Sequence, residues 1–185
     1  MDKIIPDVYQ KSIYTINYEK LRDNGIRCLL FDLDNTCAPI NVNEPTKKLI
    51  SLFDELGDMG FKIIIFSNST KKRLEPFKQV LNVDCCAGAK KPRKTKLLKI
   101  LKLFNFDLSE VALIGDQLYT DVYGGNRLNM HTILVEPIEI KDIWITKIKR
   151  PLENLVLTKY KDYDYQNDSK RLNWKKKSAK NKKIA

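Results

Sequence analysis

Two aspartates one residue apart, Asp32 and Asp34, are the residues of this chain whose types and spacing first suggest chemistry. They follow the apolar run 28–31, which has the composition of a buried strand. Side chains alternate along a strand, so both carboxylates would point the same way at its carboxyl end. Parallel α/β sheets bind ligands at that edge. Two adjacent carboxylates there need a cation, a proton or solvent, although ordinary surface acids share the same spacing.

Further polar motifs follow later apolar runs in the same manner. They are Ser67-Asn68, Lys91 before a proline, and Gly115-Asp116 with Asp121 five residues on. Each has a plain alternative: a serine or asparagine can cap a helix, a loop lysine can be solvated, and an acid can favour a helix start. At one sheet edge, however, they would combine phosphate-binding groups with hard oxygen ligands of the kind that Mg²⁺ prefers.

That combination points to phosphoryl transfer. A carboxylate can attack phosphorus and form an aspartyl-phosphate, which divides a difficult hydrolysis into two easier steps. A lysine and Mg²⁺ can neutralise charge on the transferring group. The acids predicted to offer oxygen ligands to Mg²⁺ are Asp32, Asp34 and Asp116, and the predicted lysine is Lys91.

The elements that must position these residues alternate between strand and helix signals. Strands are predicted at 28–32, 62–67, 83–87, 111–115 and 131–135, and helices at about 45–59, 71–81, 93–105 and 118–128. Such alternation predicts a mainly parallel five-stranded sheet with right-handed crossovers, in a Rossmann-like three-layer α/β/α fold. Gly60 and Asn129 stand where helices are expected to end, Asn129 in a left-handed conformation.

The charge is concentrated at the end of the chain. The net charge is +11, and residues 170–185 contain eight Lys and Arg and no acid, so about +3 remains for everything before them. We predict an extension, 1–25, packing on a domain, 26–158, followed by a polar and basic tail, 159–185, that is mainly disordered. The tail could contact an anionic membrane, RNA or the ribosome, because electrostatics alone do not distinguish these partners.

Other classes of protein are disfavoured. The longest unbroken apolar runs have four residues, so no transmembrane segment is expected. The four cysteines form no Cys-x-x-Cys pair and there is one histidine, His131, which is a poor set for a tetrahedral zinc site. We expect reduced thiols and a cytoplasmic protein, peripheral at the inner face of the membrane if its tail binds lipid.

Taken in order, the motifs resemble those of the haloacid dehalogenase (HAD) phosphohydrolases. The resemblance rests on Asp32-x-Asp34-x-Thr36, Ser67-Asn68, Lys91-Pro92 and Gly115-Asp116-x4-Asp121. Pro6-Asp7-x-Tyr9 and Gly124-Gly125-Asn126-Arg127 are further similar to the YqeG-type subclass IIIA group, which shares a family with phosphatidylglycerophosphate phosphatases. The resemblance covers about residues 5–157 and implies a HAD core.

The resemblance implies roles for the three acids. Asp32 would be the nucleophile and a Mg²⁺ ligand. Asp34 would be the general acid/base, and its backbone carbonyl would touch the metal. Asp116 would also bind Mg²⁺.

It implies a catalytic role for Lys91, phosphate binding for two residues and supporting roles for two more. Ser67 and Asn68 would bind the substrate phosphate, and Lys91 would bridge that phosphate and the nucleophile. Asp121 would orient the lysine or the metal waters, and Thr36 would support the site.

The spacings leave no room for a large cap domain, since 30 residues separate Thr36 from Ser67 and 23 separate Ser67 from Lys91. An open site suits a large or surface-presented phosphomonoester, and the resemblance makes phosphatidylglycerophosphate a candidate. A soluble phosphometabolite or nucleotide is an alternative, as is an RNA- or ribosome-associated binding role for the tail. A phosphoacceptor signalling module is disfavoured, because its acceptor aspartate would end the third strand, where Cys85 and Cys86 stand.

Overall fold

In the part of the chain that the structure describes, the sequence motifs lie at one six-stranded sheet whose neighbouring strands are all parallel. The computed structural model describes residues 2–139. Its strands are β1 Val8–Gln10, β2 Cys28–Phe31, β3 Lys62–Phe66, β4 Asp84–Cys86, β5 Val111–Gly115 and β6 His131–Val135. Across the sheet they run in the order β1-β6-β5-β2-β3-β4.

Within the described residues, five α-helices and a π-helical segment connect these strands. The helices are α1 Tyr18–Asp23, α2 Lys47–Asp58, α3 Lys71–Leu81 and α4 Thr95–Leu103, and the π-helix Leu118–Tyr123 runs into α5 Gly124–Asn126. Short 3₁₀ turns occur at Asp2–Ile4, Ile13–Thr15 and Leu108–Glu110. Within residues 2–139, no helix combines the length and the apolar composition needed to cross a membrane.

Helices cover both faces of the sheet. Leu29 and Phe31 of β2 belong to one core, which they share with α1, α2 and α3. Cys28 and Leu30 of the same strand belong to a second core, shared with α4. Because alternate residues of a strand point to opposite faces, this division is what a strand buried on both sides requires. The three-layer α/β/α prediction is confirmed.

The predicted count of five strands is one short. The extension supplies β1, which pairs with β6 so that Val8 lies beside Ile133. The Asp7 carboxylate accepts hydrogen bonds from the backbone and the hydroxyl of Thr132, at 2.9 and 3.2 Å. β1 is as short as β4 but has a weaker apolar signal, since Val8 and Tyr9 are flanked by Asp7 and Gln10. The extension therefore adds a strand to the sheet. The predicted boundary between the domain, 26–158, and the tail, 159–185, lies outside the described residues.

The register of the central strands gathers the polar motifs at one edge. Phe31 at the end of β2 lies beside Ile65 of β3 and Ile114 of β5. The residues that follow these strands therefore meet at the carboxyl edge of the sheet. Asn129 adopts the left-handed conformation expected of it, with φ 57°.

Candidate active site

A buried lysine lies between two buried aspartates at this edge. Lys91 Nζ is 2.9 Å from Asp32 Oδ1 and 2.7 Å from Asp121 Oδ1. Burial lowers the pKa of Lys91, but the charges of Asp121 and Asp32 outweigh it and raise that pKa above its ordinary value. The ammonium is therefore held charged, within reach of the predicted nucleophile.

The backbone of Lys91 is fixed by Asn68. The Lys91 amide donates to Asn68 Oδ1 at 2.7 Å, and Asn68 Nδ2 donates to the Lys91 carbonyl at 3.3 Å. The amide of Ala89 donates to the Ser67 carbonyl at 2.9 Å, which adds a backbone tie between the same two loops. The Asn68 side chain thus positions the lysine loop, and its predicted contact with substrate phosphate stays a prediction.

The two carboxylates that contact Lys91 form a cluster with a third, that of Asp116. One oxygen from each of Asp32, Asp116 and Asp121 lies within 4.8 Å of the others. Burial raises the pKa of Asp116 to about 7, and the charges of Asp121 and Asp32 act in the same direction. The Thr36 hydroxyl donates to Asp116 Oδ1 at 3.0 Å and opposes that shift. One ammonium cannot balance three carboxylates, so the cluster has the charge and oxygen donors that suit a divalent cation.

An orphaned oxygen supports the same conclusion. Asp32 Oδ1 is buried and accepts no hydrogen bond within the described residues, although the Lys91 ammonium lies at ion-pair distance. A buried carboxylate oxygen in this state retains capacity for a further cation.

Asp34 faces a different set of partners. Its Oδ2 accepts a hydrogen bond from the Ser69 hydroxyl, and its Oδ1 lies 3.0 Å from both Nε and Nη2 of Arg73. Its carboxylate lies outside the three-acid cluster. The cluster contains Asp121 in place of Asp34, together with the predicted Asp32 and Asp116. The prediction that the Asp34 carbonyl touches a metal is separate from this arrangement and stays a prediction.

Arg73 was missed from the sequence. It lies in the run Lys71-Lys72-Arg73 that begins α3, a helix with no acid in its first turn. Positive charges at a helix N-terminus interact unfavourably with the helix dipole. Such a run therefore indicates that its cations interact with groups outside the helix. Spacing alone gave no link between Arg73 and Asp34, which are 39 residues apart.

Gly115 makes room for Asp121. A Cβ at Gly115 would stand 2.3 Å from Asp121 Cγ and Oδ2. The Asp121 carboxylate also accepts from the Gln117 amide at 3.2 Å and the Thr120 hydroxyl at 3.3 Å. Read alone, Asp121 is an acid near a helix terminus, and the structure buries it on the π-helix.

The predicted site residues therefore lie at one edge. Lys91, Asp32, Asp116, Thr36 and Asp121 are linked by direct contacts or by the acid cluster. Ser67 is buried at the end of β3, and its hydroxyl accepts from the Ser69 amide at 3.3 Å. Ser69 in turn contacts Asp34.

Comparisons with known proteins agree with this arrangement. Residues 88–137 match the HAD-hydrolase-like family model. The probable phosphatase YqeG of Bacillus subtilis strain 168 is 34% identical over 157 residues, which cover 85% of this chain and 91% of that protein. The chain belongs to the YqeG-type phosphatases of the HAD superfamily.

Two further similarities place this YqeG-type phosphatase among known proteins. Phosphatidylglycerophosphate phosphatase 1 of Arabidopsis thaliana, chloroplastic/mitochondrial, is 27% identical over 170 residues, covering 85% of this chain and 48% of that protein. A HAD-like hydrolase structure from Porphyromonas gingivalis superposes with a TM-score of 0.53 at 14% identity, covering 69% of this chain and 98% of that one. The second similarity concerns the fold alone, and it agrees with the HAD core that the motifs imply.

Proposed function

We propose that this phosphatase is a Mg²⁺-dependent phosphomonoesterase that works through an aspartyl-phosphate on Asp32. The observation that carries the proposal is the contact between Lys91 and the buried Asp32 inside the three-acid cluster. A cation held beside a carboxylate at the open edge of a parallel sheet suits attack on an anionic phosphoryl group.

In the first step, a carboxylate oxygen of Asp32 attacks phosphorus and the bond to the leaving oxygen breaks. Asp34 gives a proton to that oxygen, while Lys91 neutralises charge on the transferring group. In the second step, Asp34 takes a proton from water, which attacks the aspartyl-phosphate. The bond between phosphorus and the Asp32 oxygen then breaks, releasing inorganic phosphate and restoring the carboxylate.

The metal fits the donors present. Asp32, Asp116 and the Asp34 carbonyl would hold Mg²⁺, with Asp121 orienting Lys91 through its 2.7 Å contact. When bound there, the ion supplies positive charge that stabilises the transferring phosphoryl group. Ser67 would hydrogen-bond the phosphoryl oxygens, and Thr36 would support Asp116.

Exposed cations beside the site support an anionic, extended substrate. Six exposed cations lie at the starts of α3 and α4 and in the loop before α4, and we call them the basic rim. They are Lys71, Lys72, Lys90, Arg93, Lys94 and Lys96. Residues 67–106 hold eleven Lys and Arg but two acids, so this part of the body is strongly positive. Neither helix has an acid in its first turn, which is unfavourable for its dipole. The rim therefore favours a ligand that supplies negative charge.

A large or membrane-presented phosphomonoester fits both the rim and the short connections around the site. The similarity to a phosphatidylglycerophosphate phosphatase makes that phospholipid our first candidate substrate. A soluble phosphometabolite or a nucleotide is the alternative. Cytoplasmic location, and membrane or RNA contacts of the tail, stay predictions, since the tail lies outside the described residues.

A phosphatase panel tests this proposal. Phosphatidylglycerophosphate in micelles, nucleotides, sugar phosphates and phosphopeptides are assayed with Mg²⁺ and with the metal chelated. We expect Mg²⁺-dependent release of phosphate, fastest with the phospholipid. Hydrolysis that is equal with and without Mg²⁺ would overturn the metal assignment, and a preferred soluble substrate would overturn the lipid one.

A further inference from the structure

The guanidinium of Arg73 connects Asp34 to the chain segment that follows it. Nε and Nη2 each lie 3.0 Å from Asp34 Oδ1. Nη1 donates to the Val42 carbonyl at 2.5 Å, and Nη2 also donates to the Pro39 carbonyl at 3.0 Å. All three guanidinium nitrogens therefore have an acceptor.

The position of the guanidinium is itself constrained. Its Cζ lies 4.9 Å from the centre of the Phe77 ring, and the Arg73 side chain is 13% exposed. Phe77 is buried in the core one turn further along α3. An arginine packed on an aromatic ring and aimed at three acceptors has a fixed fork, which a flexible lysine ammonium would not reproduce.

Residues 39–45, which we call the site strap, have few other attachments. Ile40, Asn41 and Asn43 are exposed, and the strap leads from the Asp34 loop to the start of α2. Within the described residues, the hydrogen bonds of its backbone are a turn bond from Val42 to Pro39 and the two bonds from Arg73. The two bonds from Arg73 are therefore the hydrogen bonds that join the strap backbone to α3.

We propose that Arg73 is a positioning residue: it holds the Asp34 carboxylate and the site strap in the geometry that proton transfer to the leaving group requires. The inference rests on the proposed function, in which Asp34 exchanges protons with the substrate. Without the guanidinium, Asp34 keeps the Ser69 bond alone among the described contacts and gains rotational freedom. Misplacement of a reacting group by about 1 Å can cost about 10²-fold in rate.

The test compares substrates by leaving group. The variant is Arg73→Gln, and the matched control is Lys78→Gln, which removes an exposed cation from the same helix. An alkyl phosphate needs a proton on its leaving oxygen, whereas 4-nitrophenyl phosphate needs little help. In single-turnover measurements we expect Arg73→Gln to slow alkoxide release at least about 10-fold, with nitrophenolate release and KM nearly unchanged. Equal slowing of both substrates would overturn the proposal.

A double-mutant cycle separates positioning from general damage. If Arg73 acts through Asp34, Arg73→Gln changes alkoxide release by less than about twofold in the Asp34→Asn background. Additive losses would overturn the proposal. Arg73→Lys retains the charge without the fork, so we expect it to behave like Arg73→Gln, and it replaces that variant if Arg73→Gln does not fold.

Hydrogen exchange provides a readout that does not need activity. We expect the Val42 amide to exchange faster in Arg73→Gln than in wild type or Lys78→Gln, and unchanged exchange overturns the proposed hold on the strap. Failure of the proposed function has a different signature: wild type without phosphatase activity, or Asp32→Asn with full activity. The role of Arg73 would be overturned, with the proposed function intact, by one combination of results. Wild type would be active, Asp32→Asn would be inactive, and the losses in the Arg73 and Asp34 double-mutant cycle would be additive.

Discussion

Lys91 Nζ lies 2.7 Å from Asp121 Oδ1, although the two residues are 30 positions apart and belong to different crossovers of the sheet. The same ammonium reaches Asp32 at 2.9 Å. One cation therefore serves two buried carboxylates that the chain brings in from separate elements. The stability of the site and its chemistry depend on the same contacts.

Removing the lysine should damage both properties. Lys91→Met leaves Asp32 and Asp121 buried without their cation, and loss of one partner of a buried ion pair typically costs about 3–5 kcal/mol. We expect the free energy of unfolding in urea to fall by that order, with phosphatase activity lost. The exposed neighbour provides the control: Lys90→Gln should unfold like wild type. Equal stability of Lys91→Met and wild type would contradict the burial argument.

A methyl group at Gly115 should disturb the acid cluster. The added Cβ would approach the Asp121 carboxylate to 2.3 Å, so that side chain must move away from Lys91. We expect Gly115→Ala to lose about 1–3 kcal/mol of stability and at least about 10-fold in kcat. In contrast, Gly57→Ala in α2, where a Cβ meets nothing within 4 Å, should leave kcat unchanged. A fully active Gly115→Ala enzyme would rule out tight packing of Asp121.

The metal-free protein should lose stability as the pH rises to neutrality, and little further stability above it. The pKa of Asp116 is raised to about 7 in the folded state, above the ordinary value of 3.8 that the unfolded chain retains. Its contribution to stability is thus full below pH 3.8 and is lost as the pH rises through 7. For this group alone, the loss between about pH 6 and about pH 8 is about 1.4 kcal/mol.

Urea unfolding at the two pH values, with and without Mg²⁺, measures this loss. We expect Mg²⁺ to stabilise the protein more at the higher pH, because the deprotonated carboxylate is the form that binds metal. Asp116→Asn should remove most of the pH-dependent difference. The same slope in Asp116→Asn and wild type would assign it to another group.

The basic rim should matter for extended anionic substrates alone. In Lys71→Gln/Lys72→Gln/Arg93→Gln, we expect KM for micellar phosphatidylglycerophosphate to rise at least about 10-fold, with weaker dependence on salt. KM for 4-nitrophenyl phosphate should change little. The control Lys78→Gln/Lys99→Gln/Lys102→Gln removes as much charge further along α3 and α4. If both triple variants behave alike, net charge rather than the rim governs binding.

The sequence predicts where most of the candidate site residues lie in the fold, because those residues directly follow buried strands. Apolar runs fix where β2, β3 and β5 end, and parallel strands must present those ends at one edge. Asp32, Ser67 and Asp116 are therefore placed by local pattern alone. Lys91 needed the family resemblance in addition, since its loop follows β4, whose intermediate burial gives a weaker strand signal.

What the sequence could not supply depends on contacts between distant segments. Arg73 meets Asp34 and the strap only once α3 packs beside the β2 loop, and no periodicity encodes that meeting. Asp121 was expected to support the lysine, but its complete burial follows from the missing side chain at Gly115. β1 has only two apolar residues between polar neighbours, so it is recognised through its pairing with β6.

The central claim is that Asp32 attacks phosphorus, and trapping the phosphorylated enzyme tests it most directly. Wild type, Asp32→Asn and the control Asp54→Asn, on the exposed face of α2, are quenched in acid during turnover and digested with trypsin. Mass spectrometry should find one phosphoryl group on peptide 28–47 of wild type and Asp54→Asn, at Asp32, and none in Asp32→Asn, which should also be inactive. A phosphoryl group on another residue, or full activity of Asp32→Asn, would contradict the account.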